Sequence, residues 1–420
     1  MLHGKNVLVI GARAGGYGEA IAKAAVSAGA NVFGTTLNPA DAQEQAFFRD
    51  INVALVEVPL RYDFDCRNRV LESLKAIENR LREKGVDRLD AVVHAVAGGF
   101  PRQPSVMKAV AEILKGKSTF SDMATPVRRN VFYVNAGSFD DTITGLAGIC
   151  DENTQFVALT YRGDLPYFIS QTKKYLERLA LRRAKSGTRT LIAALPEAWT
   201  QSSQFFTGIE IAVIHNYLSS LQHRKPADHV AELFDQMEQS LRELGGFGDL
   251  ASRLQSFMDD EWKNVGADSD PAMVSRVVDS LFGELRKNGT FSWLRQAVEV
   301  ISDFVRKASG IVVVREFLDK RAYAPGDVKQ VYYRDLLGTT AVENAKPREQ
   351  APPRVVRIRK WLEFDKDDVR STLSMYGENF LFLDRVVMEA GDVYTGFIGF
   401  GRFTVPSPEQ NPILRDHFEG

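Results

Sequence analysis

Between Ala158 and Ala184 the chain reads ALTYRGDLPYFISQTKKYLERLALRRA, which sets two phenols, Tyr161 and Tyr167, ahead of two ammonium groups, Lys173 and Lys174. A phenol becomes a usable proton donor when a fixed positive charge lowers its pKa, so a Tyr with a Lys nearby suits a reaction in which a hydride adds to a C=O or C=C bond and a proton must follow. The commonest geometry for such a pair has three residues between Tyr and Lys, one helical turn, and that spacing is absent. Tyr167 stands six residues before Lys173 and seven before Lys174. Seven residues are two turns along one helical face, so the residues alone leave both lysines as candidates.

The elements that must hold these groups can be read upstream. NVLVIGA (Asn6 to Ala12) has the continuous apolar character of a buried strand, and EAIAKAAVSAG (Glu19 to Gly29) has helical apolar spacing with a glycine stop. The segments NVFGTT, NVALVEV, LDAVVHAVAG, TQFVALTY and RTLIAALP repeat the strand signal, with helical stretches such as CRNRVLESLKAIENRLREKG between them. Alternating strands and helices predict a parallel sheet covered on both faces, a Rossmann-like, doubly wound α/β domain. At 420 residues the chain is long enough for more than one domain.

The first strand ends in IGARAGGYGEAIA, with Gly11, Gly15, Gly16 and Gly18 immediately before a helix. Glycines there allow a tight turn and close approach of backbone to a pyrophosphate, whose charge the helix N-terminus stabilises. A glycine-rich structural turn is the alternative. After the second strand come Gly34, Thr35, Thr36, Leu37 and Asn38, with neither the acid that would bind the ribose hydroxyls of NAD nor the base that would bind the 2′-phosphate of NADP. Arg13, inside the loop, could reach a 2′-phosphate or be an ordinary exposed arginine, so the cofactor is NADH or NADPH. The small-residue turn around Ala97 and Gly98 offers a surface for an adenosine or a ribose. His94 at that strand end reads as a packed residue.

With HAVAGG (His94 to Gly99) and VNAGSF (Val134 to Phe139) the chain resembles the short-chain dehydrogenase/reductase superfamily. The resemblance implies a small-residue turn after the fourth strand and a structural, proton-relaying Asn135 in the next helix. The run K-x-x-L-E-x-L-x-x-x-x-A, through Leu176, Glu177, Leu179 and Ala184, resembles the superfamily's helix pattern and favours Lys173 over Lys174 as the ribose-binding ammonium. ALTYRG, with its strand-end Tyr161 and lengthened Tyr–Lys spacing, resembles the enoyl-thioester reductases of that superfamily. KNVLVIGA and TQSSQFFTGIEIAVIHNYLSSL resemble the long trans-2-enoyl reductases, although the Tyr–Lys spacing is shorter than theirs. What this implies is NAD(P)H-dependent reduction of a 2-enoyl thioester of acyl carrier protein or coenzyme A, in fatty-acid or polyketide assembly. In ALPEAWTQSS, Thr200 is then the candidate for touching the nicotinamide or the pyrophosphate. A β-ketoacyl reductase, with Thr160 in place of the usual Ser, and a degenerate nucleotide-fold scaffold are the alternatives.

From about 200 to 309 the sequence is nearly continuous helix-like, a large insertion suited to an acyl-chain crevice, and IVVVREFL (Ile311 to Leu318) reads as a final strand. The expected division is a reductase domain over 1–335, a polar, proline-containing linker over 336–355, and a second unit over 356–420. This last unit resembles the first part of a hotdog-fold β-hydroxyacyl-thioester dehydratase, with an FLFLDRV strand, a VYTGFIGF strand and an H-F-x-G motif at His417 and Gly420. The resemblance implies an α+β hotdog unit that is incomplete, its central helix and partner carboxylate being expected beyond Gly420.

Lys plus Arg number 53 against 54 Asp plus Glu, so no global field favours nucleic acid. Cys66 and Cys150 lack metal spacing and are too few for a disulfide framework, and the remaining histidines form no ligand set, so no metal is assigned. The start lacks a signal-peptide pattern and no apolar run is long enough to span a bilayer. A cytoplasmic, homo-oligomeric enzyme is the expectation.

Overall fold

A computed structural model of the protein describes residues 2–98, 125–161, 168–196, 198–200, 230–244, 291–318, 328–330, 393–398 and 401–406, with single positions between 210 and 280. The elements in chain order are β1 (Asn6–Ile10), α1 (Tyr17–Ser27), β2 (Asn31–Thr35), α2 (Ala42–Asp50), β3 (Ala54–Leu55), α3 (Arg67–Glu83), β4 (Ala91–His94), α4 (Thr125–Phe132) and α5 (Ser138–Gly145). They continue with β5 (Gln155–Tyr161), α6 (Phe168–Lys185), β6 (Arg189–Leu195), α7 (Ala231–Glu243), α8 (Phe291–Leu318), β7 (Val328–Gln330), β8 (Val393–Ile398) and β9 (Gly401–Pro406). The first seven strands form one parallel sheet in the order β3-β2-β1-β4-β5-β6-β7. This is a Rossmann-like doubly wound fold.

The central strands are apolar on both faces because helices cover both: Val7, Leu8, Val9 and Ile10 in β1 and Val92 and Val93 in β4 are all buried. β1 pairs with β2 on one side, Val7 opposite Val32, and with β4 on the other, Leu8 opposite Val92. The chain therefore reverses its direction of travel across the sheet at β1 and β4, and a crevice opens beyond their carboxyl ends. α1 stops where Gly29 takes φ +88°, a conformation that glycine adopts without steric cost. Asp41 caps α2, its Oδ1 accepting from the N–H groups of Gln43 and Glu44.

Two expectations need correction. Only Ala54 and Leu55 of NVALVEV pair as a strand, β3, at the edge of the sheet; the Val56 N–H still donates to the Gly34 carbonyl at 2.9 Å, but among the described residues no strand lies on the outer side to extend the ladder. IVVVREFL is the last part of the 28-residue helix α8, and the seventh strand is Val328–Gln330. β-branched residues disfavour helix only weakly, and here the apolar face of Leu294, Ala297, Val298, Ile301, Phe304, Val305 and Ala308 runs on into Val312 and Val313, all buried. Continuity of a helical face outweighs local β propensity.

α8 packs lengthwise on α1, closely enough at Gly310 that a Cβ there would lie 2.6 Å from the Ala20 carbonyl oxygen. On α8, Phe304 also meets Phe234 of α7 edge to face, centroids 5.7 Å apart. β8 and β9 form an antiparallel pair, Val393 opposite Pro406. The expected linker, the FLFLDRV segment, His417 and Gly420 lie outside the described residues.

Candidate active site

The glycine loop occupies the mouth of the crevice between β1 and β4. Gly11 at φ +84° and Gly15 at φ +71° hold backbone that other residues rarely adopt. A Cβ on Gly11 would lie 2.8 Å from the Ala95 carbonyl oxygen, and one on Gly18 would lie 2.5 Å from the Gly11 oxygen and 3.1 Å from the Ala95 Cβ. The loop is thus pressed against the turn that follows β4, leaving its outer side open to a ligand. Gly16 precedes α1 without a side-chain cap, so the positive end of the helix faces the loop, where an anion is stabilised. One loop donor has an internal partner: the Gly15 N–H donates to the Glu19 carboxylate at 2.7 Å, and Lys23 pairs with the same carboxylate.

Two side chains from different elements clamp the turn after β4. The Lys173 Nζ, on α6, donates to the Val96 carbonyl oxygen at 2.8 Å. Asn135 grips Gly98 twice, its Nδ2 donating to the Gly98 carbonyl at 2.7 Å while its Oδ1 accepts from the Gly98 N–H at 3.2 Å. Asn135 sits in a widened helical turn, Tyr133–Gly137, joining α4 to α5, and its Nδ2 also donates to the Val131 carbonyl at 2.7 Å. Such a bulge re-aims one side chain out of the regular helical register, a device common at functional sites. α5 below it is fixed by Asp141, which receives Arg67 in a forked ion pair and the Tyr133 hydroxyl at 2.7 Å.

Lys173 is almost wholly buried, and that burial pulls its ammonium down to about 7. His94, also buried, is held well below the usual histidine range by burial first and by the Lys173 charge second. Its Nε2 meets the Ser138 hydroxyl at 2.9 Å and its ring packs against Tyr62 and Phe139, in agreement with its reading as a packed residue. Its Nδ1 has no hydrogen-bond partner among the described residues.

Tyr161 closes β5, its backbone paired with Leu195. Its side chain, that of Lys174 and the whole of Tyr167 lie outside the described residues. Thr160 faces the other way: its hydroxyl donates to Glu177 at 2.8 Å and also lies 3.3 Å from the Lys173 carbonyl, so it is turned into α6. The expectation that Thr160 could stand in for an active-site Ser is therefore corrected: its hydroxyl is engaged inside the fold, between β5 and α6.

Thr35 and Thr36 end β2 buried. Arg13, in the glycine loop, lies 4.0 Å from Glu44 in the first turn of α2. No acid directly follows β2; the first turn of α2 brings Glu44 to the same end of the sheet instead. The segment after β6 is fastened at several points, with the Tyr17 hydroxyl donating to the Pro196 carbonyl at 2.7 Å and the Trp199 N–H donating to the Ser302 hydroxyl at 2.8 Å. Thr200 comes next. Neither Tyr17 nor Ser302 has a sequence signal, since each acts across the fold. Among the described residues no cluster of His, Cys, Asp or Glu could hold a metal ion, and no helix is long and apolar enough to cross a membrane.

Residues 153–270 match the family described as enoyl-acyl carrier protein reductase FabMG. The matched span contains Tyr161, Tyr167, Lys173, Lys174 and Thr200. Among solved structures, an apo structure of FabMG, described as a novel type of enoyl-acyl carrier protein reductase, superposes with a TM-score of 0.61 at 18% identity, covering 79% of this chain and 92% of that one. An NADH-bound structure of FabMG gives a TM-score of 0.52 at 19% identity, covering 78% and 92%. At these identities the likeness establishes a common fold. No curated protein matches the chain.

Proposed function

We propose that the chain reduces the C=C bond of a 2-enoyl thioester carried by acyl carrier protein, using NADH, as a step of fatty-acid biosynthesis in the cytoplasm. The observation that carries this reading is the coincidence of the enoyl-acyl carrier protein reductase match with the stretch holding Tyr161 and the buried Lys173. NADH, when bound, supplies the hydride. The cradle suits its pyrophosphate: Gly11 and Gly18 occupy places that a Cβ would fill, and α1 begins without a side-chain cap. Glu44 beside Arg13 supports NADH over NADPH, because a carboxylate there repels a 2′-phosphate and partly neutralises the one base available to it.

In this reading Gly11, Arg13, Gly15, Gly16, Gly18, Thr35, Ala97, Gly98 and Thr200 line the cofactor crevice, and Asn135 keeps Gly98 in place. Lys173 binds the nicotinamide ribose, and its charge holds a tyrosine phenol ready to hydrogen-bond the thioester oxygen and pass on a proton. Tyr161, at the strand end, and Tyr167 are the two candidates for that phenol. The inward turn of Thr160 counts against β-ketoacyl reduction, the runner-up.

The test sets crotonyl-acyl carrier protein against acetoacetyl-acyl carrier protein with NADH. Faster oxidation of NADH with the acetoacetyl thioester would move the assignment to a ketoreductase. NADH binding without turnover of either would leave a nucleotide-fold scaffold. For residues 356–420, beyond the 336–355 linker, we propose a hotdog-like unit; the antiparallel pair β8–β9 supports it. Hydration of crotonyl thioester that vanishes in His417→Ala would assign that unit an activity of its own.

A further inference from the structure

The segment that leaves β6 is held from two directions. The Tyr17 hydroxyl, in the first turn of α1, donates to Pro196. From α8, the Ser302 hydroxyl accepts the Trp199 N–H at 2.8 Å, the Arg306 guanidinium donates to the Trp199 carbonyl, and the Arg295 guanidinium lies over the Trp199 ring, 5.0 Å from its centroid. Both backbone groups of one loop residue are thus taken by side chains of a helix about a hundred residues further on. Ser302 is wholly buried, so its hydroxyl is committed to this contact. Arg306 is itself steadied by Asp303 at 3.5 Å.

The place of this segment tells what it does. In an open parallel sheet a dinucleotide lies across the carboxyl ends of the strands, with its pyrophosphate at the glycine loop and its adenosine toward β2. The nicotinamide half must then extend past β4 toward β5 and β6. Thr200 directly follows Trp199, at the carboxyl end of β6.

We infer that Ser302 and Arg306 of α8 are positioning residues that fix the loop after β6 against the nicotinamide half of the cofactor, through the two backbone groups of Trp199. The inference rests on the proposed NADH-dependent function. A loop residue anchored through its main chain cannot shift without breaking both bonds, so the wall of the nicotinamide site is set by α8. Binding of the adenosine diphosphate half, which needs only the glycine loop and the β2 side, is independent of these contacts.

The experiment compares wild type, Ser302→Ala, Arg306→Gln and Arg306→Lys by titration with NADH and with ADP, together with steady-state kinetics on crotonyl-acyl carrier protein. We expect Ser302→Ala and Arg306→Gln each to raise the Kd and KM for NADH about tenfold, the loss of one hydrogen bond to a loop that must be ordered, while kcat changes less than KM. ADP affinity stays at the wild-type value, which also reports that the fold is intact. Arg306→Lys, which keeps a cationic donor, recovers part of the NADH affinity. Variants that bind NADH as the wild type does would overturn the inference alone, as would variants that lose ADP and NADH in parallel, because the contacts would then be merely structural. A wild-type chain that binds neither nucleotide would remove the cofactor reading and this inference with it.

Discussion

The Nζ of Lys173 donates to the carbonyl oxygen of Val96 at 2.8 Å, from a site that excludes almost all water. The contact joins α6 to the turn after β4, and burial holds the pKa of the ammonium at about 7. Near neutral pH the group is therefore poised between ammonium and amine.

A ligand diphosphate bound nearby adds negative charge and favours the ammonium. At about pH 8, NADH binding should therefore take up a proton at Lys173. Calorimetric titration in buffers of different ionisation enthalpy measures this directly. Identical apparent enthalpies in all buffers would contradict it, and Lys173→Met should abolish any uptake seen.

The same shift governs stability. In the unfolded chain Lys173 regains an ordinary pKa of about 10.4, so between pH 7 and 10 the unfolded state holds more protons and folding becomes more favourable as pH rises. Below about 7 both states are protonated and this contribution is flat. Urea midpoints at about pH 7 and pH 9.5 should show a larger gain, or smaller loss, for the wild type than for Lys173→Met.

Gly11 and Gly15 both have positive φ but differ in surroundings. Gly15→Ala meets open space and incurs only backbone strain, about 1 to 2 kcal/mol. Gly11→Ala also drives a Cβ into the Ala95 carbonyl, and should cost more and displace the turn that Lys173 and Asn135 hold. Chemical denaturation separates the two; equal losses would mean that the loop yields freely.

Asn135→Leu has nearly the same volume but removes both bonds to Gly98 and the one to Val131. Leaving those backbone groups unpaired should cost about 1 to 3 kcal/mol and lower kcat more than ten-fold through the freed turn. Asn135→Asp should be no better, since a carboxylate cannot donate to two carbonyls. Unchanged kcat in both variants would show that the turn needs no clamp.

Much of this architecture could be read from the sequence because it is local. The strands NVLVI, NVFGT, AVVH, QFVALTY and RTLIAAL, the glycine loop and Asn135 each carry a signal within a few residues, and each lies where that signal predicts, whereas NVALVEV keeps only Ala54 and Leu55 as strand. The enoyl-thioester reading, drawn from ALTYRG and the lengthened Tyr–Lys spacing, agrees with the family match over 153–270. What could not be read is what depends on distant packing. IVVVREFL has strand composition, and only the face it shares with Leu294 through Ala308 makes it helix. Glu44 reaches Arg13 because α2 starts where it does, and Thr160 turns from the crevice because Glu177, seventeen residues on in α6, takes its hydroxyl. Ser302 and Arg306 act on a loop far away in the chain, where no spacing rule applies.

The crossing of Gly310 on Ala20 joins α1 to α8, two helices that lie far apart in the chain. Closing so long a loop is slow, and until it happens the cofactor helix lacks its outer cover. The glycine loop therefore cannot mature as an early, self-sufficient module. During synthesis the protein should stay dependent on protection from aggregation until residue 318 has cleared the exit tunnel, and only then acquire nucleotide affinity, late and all at once.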